Sequence, residues 1–391
     1  MIKKSLVPLA LGGFGIGMTE FVMMGILPDV ARNLSITIPQ AGYLISAYAL
    51  GVVVGAPILV GGLARYAPNK VLMLFMLLFT VFNGMSALSP NFGLLLASRF
   101  LAGLPHGAFF GVGAVVAARV ADEGKAAAAM ATMFAGLTLA NVAGVPIATF
   151  VGHHASWRLA FVMVAMIGAL TLWSLKRFLP HIEGNRQANL LRDLRIFRNP
   201  SLWLGLAITS IGTGGFFAWF SYIAPLLTEV SGFAPGSIPL IMTVAGVGMT
   251  VGVVSGGRLA DRVPAEKAVL ILLATMVVLL YLNVLLAQSQ PAMLFFAFAV
   301  GANALALGPP IQVLLIRQSR EAEMLGSSLG QSGFNIGNAT GAFLGGLPLT
   351  LGYGYTAPLQ VAAALALSGV VLTLILLARQ RRAGAGAQAV T

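Results

Sequence analysis

From Leu6 to Leu377 the chain is a succession of apolar stretches about twenty residues long or longer, broken by short clusters of proline, glycine and charge. A stretch of that length is what an α-helix needs to cross the ~30 Å hydrocarbon core of a bilayer. In lipid the backbone finds no water to bond, so such segments are confined to helices that satisfy their own N–H and C=O groups. Only 9% of the residues are charged, against about 25% in soluble domains. The expected fold class is therefore all-α integral membrane.

Twelve spans are expected, at roughly 5–27, 40–62, 71–88, 92–118, 126–151, 158–178, 201–226, 237–257, 268–287, 292–316, 324–350 and 357–378. The breaks carry turn and charge signals: Pro28-Asp29, Pro68-Asn69-Lys70, Ser89-Pro90-Asn91, Asp122 to Lys125 and Pro264 to Lys267. The net charge of +12 is distributed by topology. Alternate loops gather 20 of the 23 Lys and Arg residues on one side; the other side holds Arg32 and Arg158, and Arg99 lies within a span. The positive-inside rule then places both termini in the cytoplasm and loops 28–39, 89–91 and 152–157 outside, as for a multi-pass protein of a bacterial inner membrane. This placement excludes nucleic acid as the partner of the positive charge and leaves the lipid bilayer. The N-terminal apolar run continues past Leu27 without a small-x-small cleavage site, so it reads as an uncleaved first helix. With no cysteine, disulfides, thiolate metal sites and a cysteine nucleophile are excluded.

The two halves repeat. Pro28 and Pro225 lie 197 residues apart; Gly136, Asn141 and Gly144 match Gly333, Asn338 and Gly341 at the same offset, and Gly61 to Ala64 recurs 196 residues on as Gly257 to Ala260. A constant offset implies two six-helix bundles of like orientation, 1–178 and 201–391, joined by a cytoplasmic linker at 179–200. Leu190, Leu191, Leu194 and Phe197 with Arg192, Arg195 and Arg198 make that linker either a helix lying at the lipid surface or a simple tether.

The candidate chemistry sits in the fourth span. On a helix, Arg99, Gly103, His106, Phe110 and Gly113 share one face. A buried arginine is costly and wants a partner or a wet cavity. Glu20, in the first span, is the one acid deep in an apolar run, and at 1.5 Å per residue it reaches nearly the depth of Arg99. A contact between them would give a carboxyl whose proton occupancy follows conformation; the alternative is a structural ion pair. His106 is a fallback proton carrier or a neutral polar contact beside Pro105. At offset 197, Glu20 and His106 correspond to Phe217 and Asn303, so charge chemistry belongs to the first half. Polar or aromatic cavity candidates extend into the second half: Asn141, Trp219, Tyr222, Asn303, Gln312, Gln331, Asn335 and Asn338. Gln331, Asn335 and Asn338 share a helix face, to bind substrate or to bond across helices. Trp219 and Tyr222 line a cavity or belong to an interfacial aromatic belt. Met18, Met23 and Met24 read as packing or lipid-facing surface.

Several stretches resemble the major facilitator superfamily. Gly257-Arg258-Leu259-Ala260-Asp261-Arg262 is similar to its cytoplasmic loop motif; in the first-half copy, Gly61 to Lys70, Arg65 stands at the aspartate position and Pro68 at a glycine position. Arg99-Phe100-Leu101-Ala102-Gly103 resembles the fourth-helix arginine motif linked to proton coupling. Gly136, Gly144, Pro146 and Gly152 resemble the fifth-helix glycine-proline motif of exporters, with Val145 interposed. The Thr19-Glu20-Phe21 triplet and Pro105 to Gly113 are similar to the arabinose-efflux-permease-like group of drug/proton antiporters. The resemblance implies a twelve-helix transporter that exports a small sugar-like or drug-like solute by alternating access, as a monomeric proton antiporter. It implies no cofactor, and assigns Glu20, Arg99 and His106 to coupling and Gly61, Arg65, Lys70, Gly257, Asp261 and Arg262 to a cytoplasmic gate. A facilitator, an uptake symporter and a non-transporting receptor are the alternatives. No GxxxxGK[ST] loop exists for ATP. An enzyme is not expected, because the adjacent His153-His154 pair points apart on a helix and no acidic ligand is nearby; no metal is expected either.

Overall fold

The computed structural model describes residues 3–63, 65–123, 126–183, 198–319 and 323–388. Over these residues the chain is helical and no strand is present. Twelve long helices form the bundle: α1 Lys4–Gly25, α2 Ile38–Leu63, α3 Pro68–Leu88, α4 Phe92–Val120, α5 Ala129–His154, α6 Trp157–Phe178, α7 Pro200–Phe220, α8 Pro235–Arg262, α9 Ala265–Leu286, α10 Gln290–Gln318, α11 Glu323–Thr350 and α12 Ala357–Arg381. All but α11 qualify by length and composition as membrane-crossing helices; α11 is 28 residues long and rich in glycine and amides.

The helix starts follow from local chemistry. The Asn91 side chain accepts from the Leu94 N–H at 3.0 Å, and Asn199 accepts from the Ser201 N–H at 3.0 Å, each satisfying a donor that has no intrahelical partner. Pro68 and Pro200 open α3 and α7, where a missing N–H costs nothing. The stretch expected as an outer loop at 28–39 instead contains a short helix, Leu27–Leu34. Pro28 sits in its first turn, where proline is tolerated, and Asp29 complements its N-terminal dipole. The seventh span, expected to run to 226, breaks at Ser221 and Tyr222 and resumes as the turns Ile223–Pro225 and Leu226–Val230. The linker expected at 179–200 falls mostly on residues outside those described.

Packing repeats as the sequence does. In the first half α2 lies on α4, and α1 on α5 and α6; in the second, α8 lies on α10, and α7 on α11 and α12. Because lipid is as apolar as leucine, close backbone approach rather than the hydrophobic effect holds such helices together. Gly51 and Gly55 of α2 show this: a Cβ on Gly51 would meet the Phe100 carbonyl, and one on Gly55 would lie 2.6 Å from the Leu104 carbonyl carbon. Their counterparts 197 residues on, Gly248 and Gly252 of α8, press on α10 in the same way, with the Phe298 and Ala302 carbonyl carbons 2.9 and 2.8 Å from the built Cβ. Side chains such as Met166, Leu240, Leu285 and Phe295, each more than half exposed, coat the bundle with the apolar surface a bilayer requires.

The halves meet on the face opposite the basic loops. There the Ser46 hydroxyl of α2 donates to the Ala339 carbonyl of α11 at 2.9 Å. Phe21 of α1 meets Phe220 of α7 edge-on at 6.0 Å. A Cβ on Gly246 of α8 would lie 2.5 Å from the Asn141 carbonyl carbon of α5. At the basic face Gly62 and Gly257 have nothing within 4 Å of a built Cβ.

Candidate functional site

Asn91 sets the start of α4, and two turns later Arg99 is wholly buried, 0% exposed. Its Nη1 donates to the Thr19 hydroxyl at 2.9 Å and its Nη2 to the Thr19 carbonyl at 3.0 Å. The guanidinium carbon lies 4.3 Å from the centre of the Tyr48 ring and 5.4 Å from that of Phe161, within cation–π range of both faces. Thr19 passes its own proton to Asn83 Oδ1 at 2.6 Å, and Asn83 Nδ2 donates to the Phe79 carbonyl at 2.8 Å. Only Nε of the guanidinium is left without a partner.

The expected Glu20–Arg99 ion pair is therefore not closed in this structure. Thr19 and Glu20 are consecutive on a helix, so their side chains leave the axis about 100° apart. Thr19 turns to α4 and α3. Glu20, 7% exposed, turns to the other half, where its Oε1 accepts from Asn338 Nδ2 of α11 at 3.4 Å. Asn338 is itself fully buried, and its Oδ1 has no partner.

His106 shares a hydrogen bond between its Nδ1 and the Tyr48 hydroxyl at 3.0 Å, and its ring leans on Phe110 at 5.5 Å. Tyr48 thus touches both Arg99 and His106. Tyr48, Thr19 and Asn83 join the site without having been expected there; their one signal in the sequence is a polar tip in the middle of each of three apolar runs.

The other candidates divide. Trp219 and Tyr222 are each 1% exposed, which removes them from an interfacial belt. The Tyr222 hydroxyl donates to the Ala342 carbonyl at 2.7 Å, and its ring tip is wedged between Gly42 of α2 and Gly346 of α11. Trp219 lies within a cluster with Phe216 and Phe220, and its Nε1 is unpartnered. Asn141 lies in a π-helical turn, Ala140–Gly144, with its Nδ2 unpartnered. Such turns are frequent at functional positions. Asn338 finds a carboxylate, but the position equivalent to Glu20 is Phe217, which offers Asn141 no acceptor. Asn335 Nδ2 donates to the Gln331 carbonyl of its own helix at 3.0 Å. Asn303 ties α10 to α9 through the Leu272 carbonyl at 2.9 Å, and Gln312 abuts Gly330 of α11. Met18, Met23 and Met24 are buried in packing.

In the glycine-proline stretch of α5, a Cβ on Gly136 would lie 2.8 Å from the Ala10 carbonyl carbon of α1. One on Gly144 would lie 2.8 Å from the Phe14 ring, and one on Gly152 2.7 Å from Ile26 Cγ2. Pro146 opens the helical segment after the π turn. Gly341 of α11 faces α7 similarly, 2.9 Å from Ala218 N. At the basic face Arg65, Lys70, Asp261 and Arg262 are exposed, and no hydrogen bond or ion pair among the described residues engages their side chains. Gly61 and Gly257 stand at helix ends beside them. On the opposite face His153 Nδ1 meets Asp29 Oδ2 at 2.6 Å, which corrects the expectation that no acid is near this histidine: Asp29 is 124 residues away in the chain and is brought there by the packing of the first and fifth spans. No group of three metal-ligating side chains is present among the described residues.

The sequence model of the Major Facilitator Superfamily matches residues 9–281 and again 220–389. The Putative transporter AraJ of Escherichia coli (strain K12) is 38% identical over 381 residues, covering 97% of this chain and 96% of its own. The Chloramphenicol resistance protein of Streptomyces lividans is 30% identical over 378 residues, covering 94% and 93%. Among solved structures, a D-xylose-proton symporter superposes with a TM-score of 0.72 at 15% identity, over 95% of this chain and 96% of that one.

Proposed function

The chain belongs to the major facilitator superfamily of membrane transporters, and from that premise we propose that it exports a small organic solute across the inner membrane in exchange for protons, by alternating access. The observation that carries the coupling is the position of Glu20. Its carboxyl is buried at the seam between the halves and bonded to Asn338 of the opposite half, while Arg99 lies close by without an acid partner.

In this reading both termini are cytoplasmic, and the contacts that α2, α5, α7, α8 and α11 make across the seam are the closed outer side of a state open to the cytoplasm. Opening the outer side must draw α11 from α1 and α2. That removes Asn338 from Glu20 and leaves Arg99 as the available partner. A carboxyl that changes partner with conformation also changes its hold on a proton, and by linkage the proton biases conformation in return. His106 lies on the Arg99 face as a second proton carrier. The two halves of one chain make the whole path, so a monomer suffices, and the chemistry is transport rather than catalysis. The Streptomyces lividans relative, by its printed name, supports the drug-like member of the two solute classes over the sugar-like one.

The test begins with thermal shift of the purified protein against chloramphenicol and arabinose, as one probe of each class, within a wider panel. The compound that binds is then followed in proteoliposomes under an imposed pH gradient. Glu20→Gln keeps shape and hydrogen bonding and removes titration. It abolishes uphill, pH-driven accumulation while leaving binding or passive exchange. Accumulation by Glu20→Gln with unchanged pH dependence refutes the assignment.

A further inference from the structure

Tyr48 is a fully buried aromatic on α2, and nothing in the pair chemistry of Glu20 and Arg99 calls for it. Yet it is the side chain on which two groups of α4 converge: its ring faces the Arg99 guanidinium and its hydroxyl bonds His106 Nδ1. Its backbone is held as firmly as its tip, since a Cβ on Gly103 of α4 would lie 3.0 Å from the Tyr48 carbonyl carbon. The ring therefore cannot drift from α4 as the halves move. Glycines at 51, 55, 103 and 107 interlock α2 with α4 into one body.

A guanidinium without a carboxylate must have its charge offset locally. Here the Thr19 carbonyl and hydroxyl fill one side of the fork, and the Tyr48 and Phe161 faces supply the rest. We infer that Tyr48 is a positioning residue: its ring is a shelf that holds the Arg99 guanidinium off Glu20 in the cytoplasm-open state, which leaves the carboxyl to Asn338. This rests on the proposed proton coupling for its purpose, but not for its geometry. The titratable groups that face the shelf are Glu20 from α1 and Arg99 and His106 from α4. From α3, α6 and α11 the facing groups are the neutral Asn83, Phe161 and Asn338. The charged residues of α3 and α6, namely Lys70, Arg158, Lys176 and Arg177, lie at the helix ends.

The experiment needs no substrate. Purified full-length protein in nanodiscs is treated with dicyclohexylcarbodiimide at neutral pH, and labelling of Glu20 is followed by mass spectrometry. The reagent attacks a protonated carboxyl, so a carboxyl captured by a guanidinium labels slowly. Tyr48→Met keeps an apolar side chain of similar reach and removes the aromatic face; it slows Glu20 labelling at least tenfold. Adding Arg99→Gln to that variant restores the rate. Tyr48→Phe keeps the ring and loses only the His106 bond, and labels within twofold of the parent. Parental labelling in Tyr48→Met overturns the inference, as does a tenfold loss in Tyr48→Phe, which would move the effect from the ring to the hydroxyl. Where the methionine variant fails to fold, Tyr48→Leu, which likewise lacks an aromatic face, takes its place with the same expected tenfold loss and the same overturning result. Because no transport is read, this pattern stands or falls separately from the coupling: an intact labelling pattern beside pH-indifferent transport by Glu20→Gln sinks the coupling and keeps the shelf.

Discussion

Gly42→Ala adds one methyl group at the outer seam, and the structure says where it lands. The new Cβ would meet the Tyr222 hydroxyl, with the ring carbons Cζ and Cε1 at 3.0 and 3.3 Å. The ring cannot retreat, because Gly346 closes on its other side, with a built Cβ 3.3 Å from Cζ. Overpacking of this kind costs ~1–3 kcal/mol, and a displaced Tyr222 would also lose its bond to the Ala342 carbonyl, worth about 1 kcal/mol. Once the outer side opens, α2 leaves α7 and α11 and the methyl meets nothing. The penalty, about 2–4 kcal/mol with both terms, therefore falls on one state alone and shifts the population toward the outward-open state by about 30- to 900-fold. The chain has no cysteine, so Ser46→Cys gives a clean reporter: Ser46 is 8% exposed and bonded to the Ala339 carbonyl in the closed seam. A membrane-impermeant maleimide added outside should label Cys at this position at least fivefold faster when Gly42→Ala is present. Adding Tyr222→Phe, which removes the nearest atom, should bring the rate part of the way back. A labelling rate within twofold of the single-cysteine parent refutes the claim that this seam is the outer gate.

Gly144→Leu should leave expression and detergent elution unchanged but stop cycling, since the Phe14 ring leaves no room for a side chain between α5 and α1; undiminished efflux in that variant removes the packing argument. Asp261→Asn should reduce transport rate at matched expression more than Arg65→Gln does. Neither side chain has a hydrogen bond or ion pair among the described residues, but only Asp261 offers an anion to a helix end or an arginine; equal tolerance of the two changes argues against a latch.

The architecture was legible because the bilayer imposes it. Apolar length gives the spans, and the Gly136, Asn141 and Gly144 echo at offset 197 gives the duplication that the packing repeats. What stayed hidden depends on distance in sequence. Glu20 and Arg99 are the only complementary charges deep in apolar runs, so pairing them is the natural reading. The partner that Glu20 holds is 318 residues away, and no local pattern points to it. Tyr48 escaped notice because a tyrosine in an apolar run looks like filler until its neighbours are known. Leu27–Leu34 read as loop because Pro28-Asp29 is as good a turn signal as it is a helix start. The belt reading of Tyr222 came from its closeness to Pro225, whereas burial between two glycines is set by α2 and α11, which the seventh span cannot report.

The glycine seams have a mechanical consequence. Where Gly51 and Gly55 mesh with α4, and Gly248 and Gly252 with α10, two helices are fused into a beam that can tilt but not shear. A machine built from stiff beams must concentrate its bending in a few joints. The backbone offers them in the π turns at Ala140–Gly144 of α5 and Ile208–Gly212 of α7, where the regular ladder is already interrupted. The first joint lies directly against Gly246 of the opposite beam. Compliance placed on that line is separable from solute contact: stiffening the turn at a position other than Asn141 should slow the stroke while leaving the cavity side chains in place.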